Sequence, residues 1–533
     1  MPGKPKWVSH PGFGRPRLAV KKPRSSWRIL GLRLTWLLSL ALVFAAACGD
    51  DEEDGDIAPG QPCELGADPD PCEPGSTCLD DGEGEGICLI DEGAACNNPD
   101  ESYCADGLTC EEKTDGTFAC YPPVTIAGMV FDASDDSAIE GAQVIALDDF
   151  QTAVSDVAVT DAAGNYGLRV PVVRNDDGSP APEQRFTLRS SATDYQTFPG
   201  GVRTALPVSA TEAVEGVIDT PITDIAMVPL PSDQQGQPKI TGAVSGTDAA
   251  GVLVVAETNG GGYSAITDKA GNFTIFNVPD GSYEVRGYAA GLQIVPESVT
   301  VDGADVADVV LGLSEEALGT IEGSVNIVNA PGNSATSVVL VTASTYDDTF
   351  VKGEVGRGLR APLSGPPTID GSFTIEGVPA GNYVVLASFE NDDLVRDPDP
   401  NISGTQIVNV TVERPGQTIS LESFKVTEAL AVIGPGADEP EAVTGTPTLR
   451  WADDSSEDFY SVVVYDSFGD LVWEEGMVPS VSGGDEVSVT YGGPTLESGM
   501  YYQFRATSWR QSGNQPAGPI STTEDLRGVF YVE

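Results

Sequence analysis

Histidine is all but missing from this chain: His10 is the only one in 533 residues. A protein that loses its first 47 residues would hold none, which excludes Ser–His–Asp triads, Cys–His dyads and histidine metal ligands. Cations are scarce as well, 28 Lys and Arg against 81 Asp and Glu, for a formal charge of −53. Such a surface repels phosphate backbones, so no nucleic-acid partner is expected. Neither a Walker loop nor a dinucleotide-binding loop occurs. No stretch of 15 residues keeps a 3.6-residue period, which argues against helices. What is plentiful is glycine and proline, 61 and 39 residues, beside an apolar share of 40% that suffices to build cores.

The amino-terminal end has a different texture. Residues 1–33 carry nine basic side chains and no acidic one, and an apolar run follows from Leu34 to Ala47. At 1.5 Å per residue this run spans about 21 Å, short of a ~30 Å hydrocarbon core. A basic leader, a short apolar stretch and an abrupt switch to Cys48-Gly49 and the acids Asp50–Asp54 predict an export signal. Its last residues, Ala45-Ala46-Ala47-Cys48, resemble the processing site of bacterial lipoprotein signals, apart from Ala45, where leucine is usual. The resemblance implies cleavage after residue 47 and lipid attachment at Cys48. It also implies a membrane partner reached through that anchor, and a place in the cell envelope, at the outer membrane or cell surface. Ordinary secretory cleavage would cut the same bond and leave Cys48 bare. Cysteine parity favours lipidation, because the other eight cysteines form a set of their own. Loss of the nine leader cations leaves 19 against 81 acids, a charge of −62.

After an acidic linker (48–60), residues 61–122 hold a duplicated four-cysteine module. Cys63, Cys72, Cys78 and Cys88 are followed by Cys96, Cys104, Cys110 and Cys120 at nearly the same spacing, with CEPGSTC echoed by CADGLTC. Units this small have little core, so crosslinks are expected to hold them. Pairing within each copy leaves nine connectivities open. Zinc is the competing reading, but the close C-x₂₋₄-C knuckles of structural zinc sites are missing, and no metal is expected.

From residue 123 short alternating runs return every eight to twelve positions, the pattern of an all-β protein. Three segments share a turn and strand: Thr160-Asp161…Gly164-Asn165-Tyr166-Gly167-Leu168, Thr267-Asp268…Gly271-Asn272-Phe273-Thr274-Ile275 and Thr368…Asp370-Gly371-Ser372-Phe373-Thr374-Ile375. The second and third continue into Pro279-Asp280-Gly281-Ser282-Tyr283 and Pro379-Ala380-Gly381-Asn382-Tyr383, and each copy opens on a strand bearing Gly128, Gly242 or Gly323. Asp and Gly form the hairpin turn, and the aromatic and aliphatic residues point together into a core. These motifs resemble carboxypeptidase regulatory-like domains, a transthyretin-like sandwich, over 123–232, 237–314 and 318–424. The first copy lacks the Pro-x-Gly-x-Tyr half and carries the insertion Asn175–Pro182. Relatives of this fold in surface adhesins form Lys–Asn crosslinks; residues 123–232 contain no lysine, which excludes that chemistry there, and Lys239, just before the first strand of the second copy, is a candidate for one such bond.

Residues 428–533 read as a fourth sandwich. Trp451 on an early strand and Leu496-x-x-Gly499-x-x-Tyr502 before a late one resemble a fibronectin type III domain, with Tyr502 as its corner tyrosine. Trp473 and Trp509 lie in the same segment, and at least one of the three is expected in its core.

The fold expected is therefore all-β: tandem β-sandwiches, three transthyretin-like and one fibronectin type III-like, behind a small disulfide-rich module. No catalytic residue and no cofactor are expected, because carboxylates alone among 81 acids single out no pair. The function expected is a non-enzymatic, lipid-anchored stalk at the cell surface that is structural, adhesive or ligand-presenting, with an unknown protein or carbohydrate as ligand. A carbohydrate- or calcium-dependent binding protein is the alternative. Asp132–Asp136 and Asp80–Glu85 offer hard oxygens for calcium, and Tyr195, Tyr263 and Tyr346 are possible sugar platforms.

Overall fold

The computed structural model describes residues 57–80, 85–97, 103–148, 151–182, 184–246, 248–328, 336–363, 368–369, 371–389, 407–427, 429–454, 456–481, 486–512, 515–523 and 527–532. The leader, Cys48 and most of the acidic linker lie outside the described residues. Among the described residues strands dominate, and the helical segments are two single 3₁₀ turns, Ala210–Glu212 and Ala343–Thr345. Among the described residues no helix is long and apolar enough to cross a membrane.

Each cysteine unit is a hairpin closed by its own bridges. Ser76–Asp80 pairs with Gly86–Ile90, setting Cys78 opposite Cys88, and Thr109–Glu112 pairs with Phe118–Tyr121, setting Cys110 opposite Cys120. The disulfides run Cys63–Cys78, Cys72–Cys88, Cys96–Cys110 and Cys104–Cys120, first to third and second to fourth in both copies. They close loops of 14 to 16 residues. Closure of such loops stabilises by about 3 kcal/mol each in the chain-entropy account.

The next three sandwiches repeat one strand order. In the second, Ile240–Val244 lies between Asn272–Ile275 and Val306–Leu311, and the facing sheet runs Gly261–Ile266, Leu253–Thr258, Gly281–Tyr288, Glu297–Val301. The third copies this with Gly319–Val328 between Gly371–Val378 and the strands Thr418–Ser420 and Phe424–Thr427. The first keeps the order despite its altered sequence: Val124–Asp132 pairs with Asn165–Val170 on one side and, in parallel, with Val217–Ile218 and Ile225–Met227. Its insertion packs against the cysteine module, where Lys113 pairs in register with Arg174.

The shared motif has a simple mechanical basis. Asp161 Oδ1 accepts the amides of Ala163 and Asn165, both at 2.9 Å, and Asp268 Oδ1 those of Ala270 and Asn272, at 2.9 and 2.8 Å. Gly164 and Gly271 follow at φ 79° and 83°, a conformation that glycine reaches without cost. The chain emerges with Tyr166 and Leu168, Phe273 and Ile275, or Phe373 and Ile375 buried. Across the ladder each aromatic faces a glycine: Gly128 opposite Tyr166, Gly242 opposite Phe273, Gly323 opposite Phe373. The missing side chain leaves room for the ring to lie over the first strand. Further on, Tyr283 and Tyr383 donate to the carbonyls of Pro279 and Pro379, both at 2.8 Å, and so lock the second turn.

The fourth sandwich sets Val432–Gly434, Thr448–Ala452 and Glu486–Thr490 against a larger sheet centred on Tyr501–Ser512 and Phe459–Asp466. Trp451 is fully buried between them, with Tyr460 at 5.6 Å and Phe504 at 6.4 Å from its ring. Tyr502 is buried and its hydroxyl accepts the Glu497 amide at 2.8 Å, tying the strand to the turn before it.

Candidate functional site

The cysteine module joins the first sandwich through a buried ion pair that the sequence did not single out. Arg174 Nε donates to Glu111 Oε2 at 2.6 Å, and its other nitrogens reach the carbonyls of Pro122 and Gly178 at 2.6 and 3.1 Å. Glu111 also accepts the Val172 amide at 3.2 Å. Burial still wins over these contacts and pushes the Glu111 carboxyl up to about 7.

The sandwiches are braced by single side chains far apart in sequence. Arg189 of the first donates to Glu354 of the third at 2.8 Å and to Ser264 of the second at 3.1 Å, and Ser264 donates to Glu354 at 3.0 Å. Arg203 lies between the rings of Phe198 and Tyr501, 4.6 and 4.2 Å from their centroids. Burial draws its guanidinium below the ordinary value. Gln196 donates to the Ser467 carbonyl at 2.7 Å and accepts from the Ser467 hydroxyl at 2.5 Å. The nearest sequence clue to such contacts is a glycine such as Gly201, at φ 58°, where a Cβ would strike the Ser467 carbonyl.

Several clefts open where sandwiches meet, and two of them hold the tyrosines singled out above. One, of about 1,010 Å³ between the second and third, holds Tyr346, Glu257, Glu284 and Arg286. Glu257 there is engaged by Tyr288 and Ser344, both at 2.7 Å, and by Arg286 at 3.4 Å. The other, of about 410 Å³ between the first and second, brings together Tyr195 and Tyr263. Asn277, at φ 56°, fixes this second junction: its Nδ2 donates to the carbonyls of Ala192 and Tyr195, each at 3.0 Å, while its Oδ1 accepts the Asp194 amide at 2.8 Å. Tyr195 in turn donates to Asp132 Oδ2 at 2.9 Å, and burial together with that carboxylate pushes its hydroxyl up to about 12. Burial also raises the Tyr263 hydroxyl.

The other residues of interest have plain surroundings. Asp132 Oδ1 accepts the Ser134 amide and hydroxyl at 2.7 and 2.6 Å, and Asp135 accepts the Ser137 amide at 3.0 Å, so this acidic loop is built of side-chain-capped turns. In the other, residues 81–84 lie outside the described residues. Lys239 Nζ is 4.0 Å from Asp305 Oδ2, with 43% and 58% of the two side chains exposed, an ordinary solvated ion pair. Cys63, Cys72 and Cys88 bring their sulfurs within 4.8 Å of one another, as do Cys96, Cys104 and Cys120. All six sit in disulfides, whereas a metal needs thiolates. Trp509 stacks on Phe459 at 6.1 Å and Trp473 meets Tyr491 at 5.2 Å, so neither is a bare platform.

No family model and no curated protein matches the chain. Solved structures similar to it include the TIE protein of Bacillus anthracis, at 11% identity over 83% of this chain and 73% of that one, with a TM-score of 0.14. A streptococcal ancillary pilin is 12% identical over 53% of this chain and 93% of its own, TM-score 0.15. The major pilin subunit of Bacillus cereus is 11% identical over 57% and 99%, TM-score 0.14. Likenesses at these scores carry no argument about this chain.

Proposed function

We propose that this chain is a non-enzymatic protein of the cell surface, lipid-anchored at Cys48 and held at the outer membrane or its outer face, where it acts as a structural, adhesive or ligand-presenting stalk. On this reading residues 1–47 are the signal, 48–60 a linker, 61–122 a spacer, and 123–232, 237–314, 318–424 and 428–533 the presented sandwiches. The observation that carries it is cysteine bookkeeping: eight of the nine pair in four bridges within 57–121, which suits an oxidising compartment and leaves Cys48 as the odd one. Several acyl chains on one residue, each buried CH₂ contributing about 0.8 kcal/mol, would hold the chain without a spanning helix. The bracing side chains support presentation, since they fix the sandwiches against one another.

The test is metabolic labelling with an alkyne fatty acid in cells making the full chain. Label is expected on the wild type and lost with Cys48→Ala; label that survives the substitution overturns the anchor.

A further inference from the structure

The cleft between the first and second sandwiches has a chemistry of its own. Its walls are the rings of Tyr195, Tyr263 and Phe276 together with the side chains of Asp233, Gln234 and Gln237. We propose that it binds a neutral carbohydrate. The proposal rests on the ligand-presenting reading above and names the class of ligand.

Three observations carry it. First, the cleft is preformed. Asn277 clamps the loop that bears Tyr195 while belonging to the strand end that bears Phe276, so both walls are set by one side chain. The Tyr195 ring is fixed by its bond to Asp132, and the Tyr263 ring by an edge contact with Tyr283 at 6.1 Å. Little ordering remains to be done on binding, which favours affinity.

Second, the lining pairs three aromatic residues with hydrogen-bonding groups that the protein does not use. The side chains of Asp233, Gln234 and Gln237 and the Tyr263 hydroxyl make no hydrogen bond to another described residue. Asp233 and Gln234 are exposed and Gln237 half-buried, in the segment that connects the two sandwiches. Amide groups offer a donor and an acceptor side by side, which matches adjacent hydroxyls, and a tyrosine ring offers an apolar face to C–H groups. A sugar presents both on one molecule.

Third, other ligand classes fit poorly. No Lys or Arg lines the cleft, so a phosphate or uronate would meet only an acidic chain. A single carboxylate is too few for calcium, which takes six to eight oxygens. An acyl chain would strand the amides. The volume, about 410 Å³, suits a small ligand or the end of a longer one.

The experiment is a glycan array of neutral glucan, xylan, mannan, galactan and chitin oligosaccharides, probed with the detergent-solubilised full chain, followed by calorimetry on the best binder. Saturable binding is expected, weakened roughly tenfold or more by Tyr263→Ala and by Gln237→Ala. Gln234→Ala lies on an exposed loop and should weaken binding with the melting temperature unmoved, which separates contact from folding. Three results overturn the proposal: no neutral glycan bound, binding unmoved by all three substitutions, or preference for polygalacturonate or a neutral peptide. Failure here with the wild type labelled and Cys48→Ala unlabelled defeats the cleft alone; an unlabelled wild type, or label that survives Cys48→Ala, with glycan binding intact defeats the anchor alone.

Discussion

Arg189 and Glu354 stand 165 residues apart in sequence and 2.8 Å apart in space. The pair is unequal, since 5% of the arginine side chain is exposed against 29% of the glutamate. Removing the glutamate would strand a buried cation, whereas removing the arginine leaves a carboxylate that water can reach. Glu354→Ala should therefore cost about 3 kcal/mol and Arg189→Ala clearly less. Calorimetric unfolding of the two variants checks this, and equal losses would contradict it.

The facing pairs of glycine and aromatic make a second expectation. A Cβ on Gly323 would lie 2.9 Å from Phe373 Cζ and 3.0 Å from its Cε1, with Leu421 Cβ at 3.2 Å. Gly323→Ala should destabilise by about 1–3 kcal/mol through overpacking. Phe373→Leu in the same chain should recover part of the loss, and a double-mutant cycle would read the coupling. Gly242→Ala should resist the equivalent rescue by Phe273→Leu, because there the Val309 carbonyl also blocks the new methyl.

Glu111 sets an unusual dependence on pH. Its carboxyl titrates near 7 in the folded chain against an ordinary 4.5, so between those values the native state holds a proton that the unfolded state has released. Its contribution is complete below 4.5 and is lost as pH rises through about 7. Thermal melts of the full chain should show the transition of the cysteine module and first sandwich rising from pH 8 to pH 5. Glu111→Gln should flatten that rise, and an unchanged slope would assign it to other groups.

Much of the architecture was legible because it is local. The Asp-Gly turn, the aromatic two residues later and the facing glycine recur within each copy, and the cysteine units repeat in order. Even the first sandwich, which lacks Pro-x-Gly-x-Tyr, keeps its strand order, since Tyr166, Leu168 and Gly128 suffice to place the central hairpin. Disulfide connectivity stayed open, because spacing alone leaves several loops of equal cost. The junctions were hidden for a different reason. Asn277, Arg203 and Gln196 meet partners in other sandwiches, and an asparagine in a turn or an arginine after two glycines carries no mark of that role. Tyr195 and Tyr263 could be named as ring platforms, but only the folded chain brings them to one cleft and puts Tyr346 at another.

In each of the three related sandwiches the opening strand lies parallel to a closing one, as Ile240–Val244 does with Val306–Leu311. Tension applied through the neighbouring segments would drag these two strands in opposite directions along their length. The ladder between them would be sheared, with all its rungs loaded at once, instead of being unzipped one rung at a time. A protein tethered at one end and gripped at the other would then yield late under load, and its mechanical lifetime would be set by the rate at which that ladder ruptures.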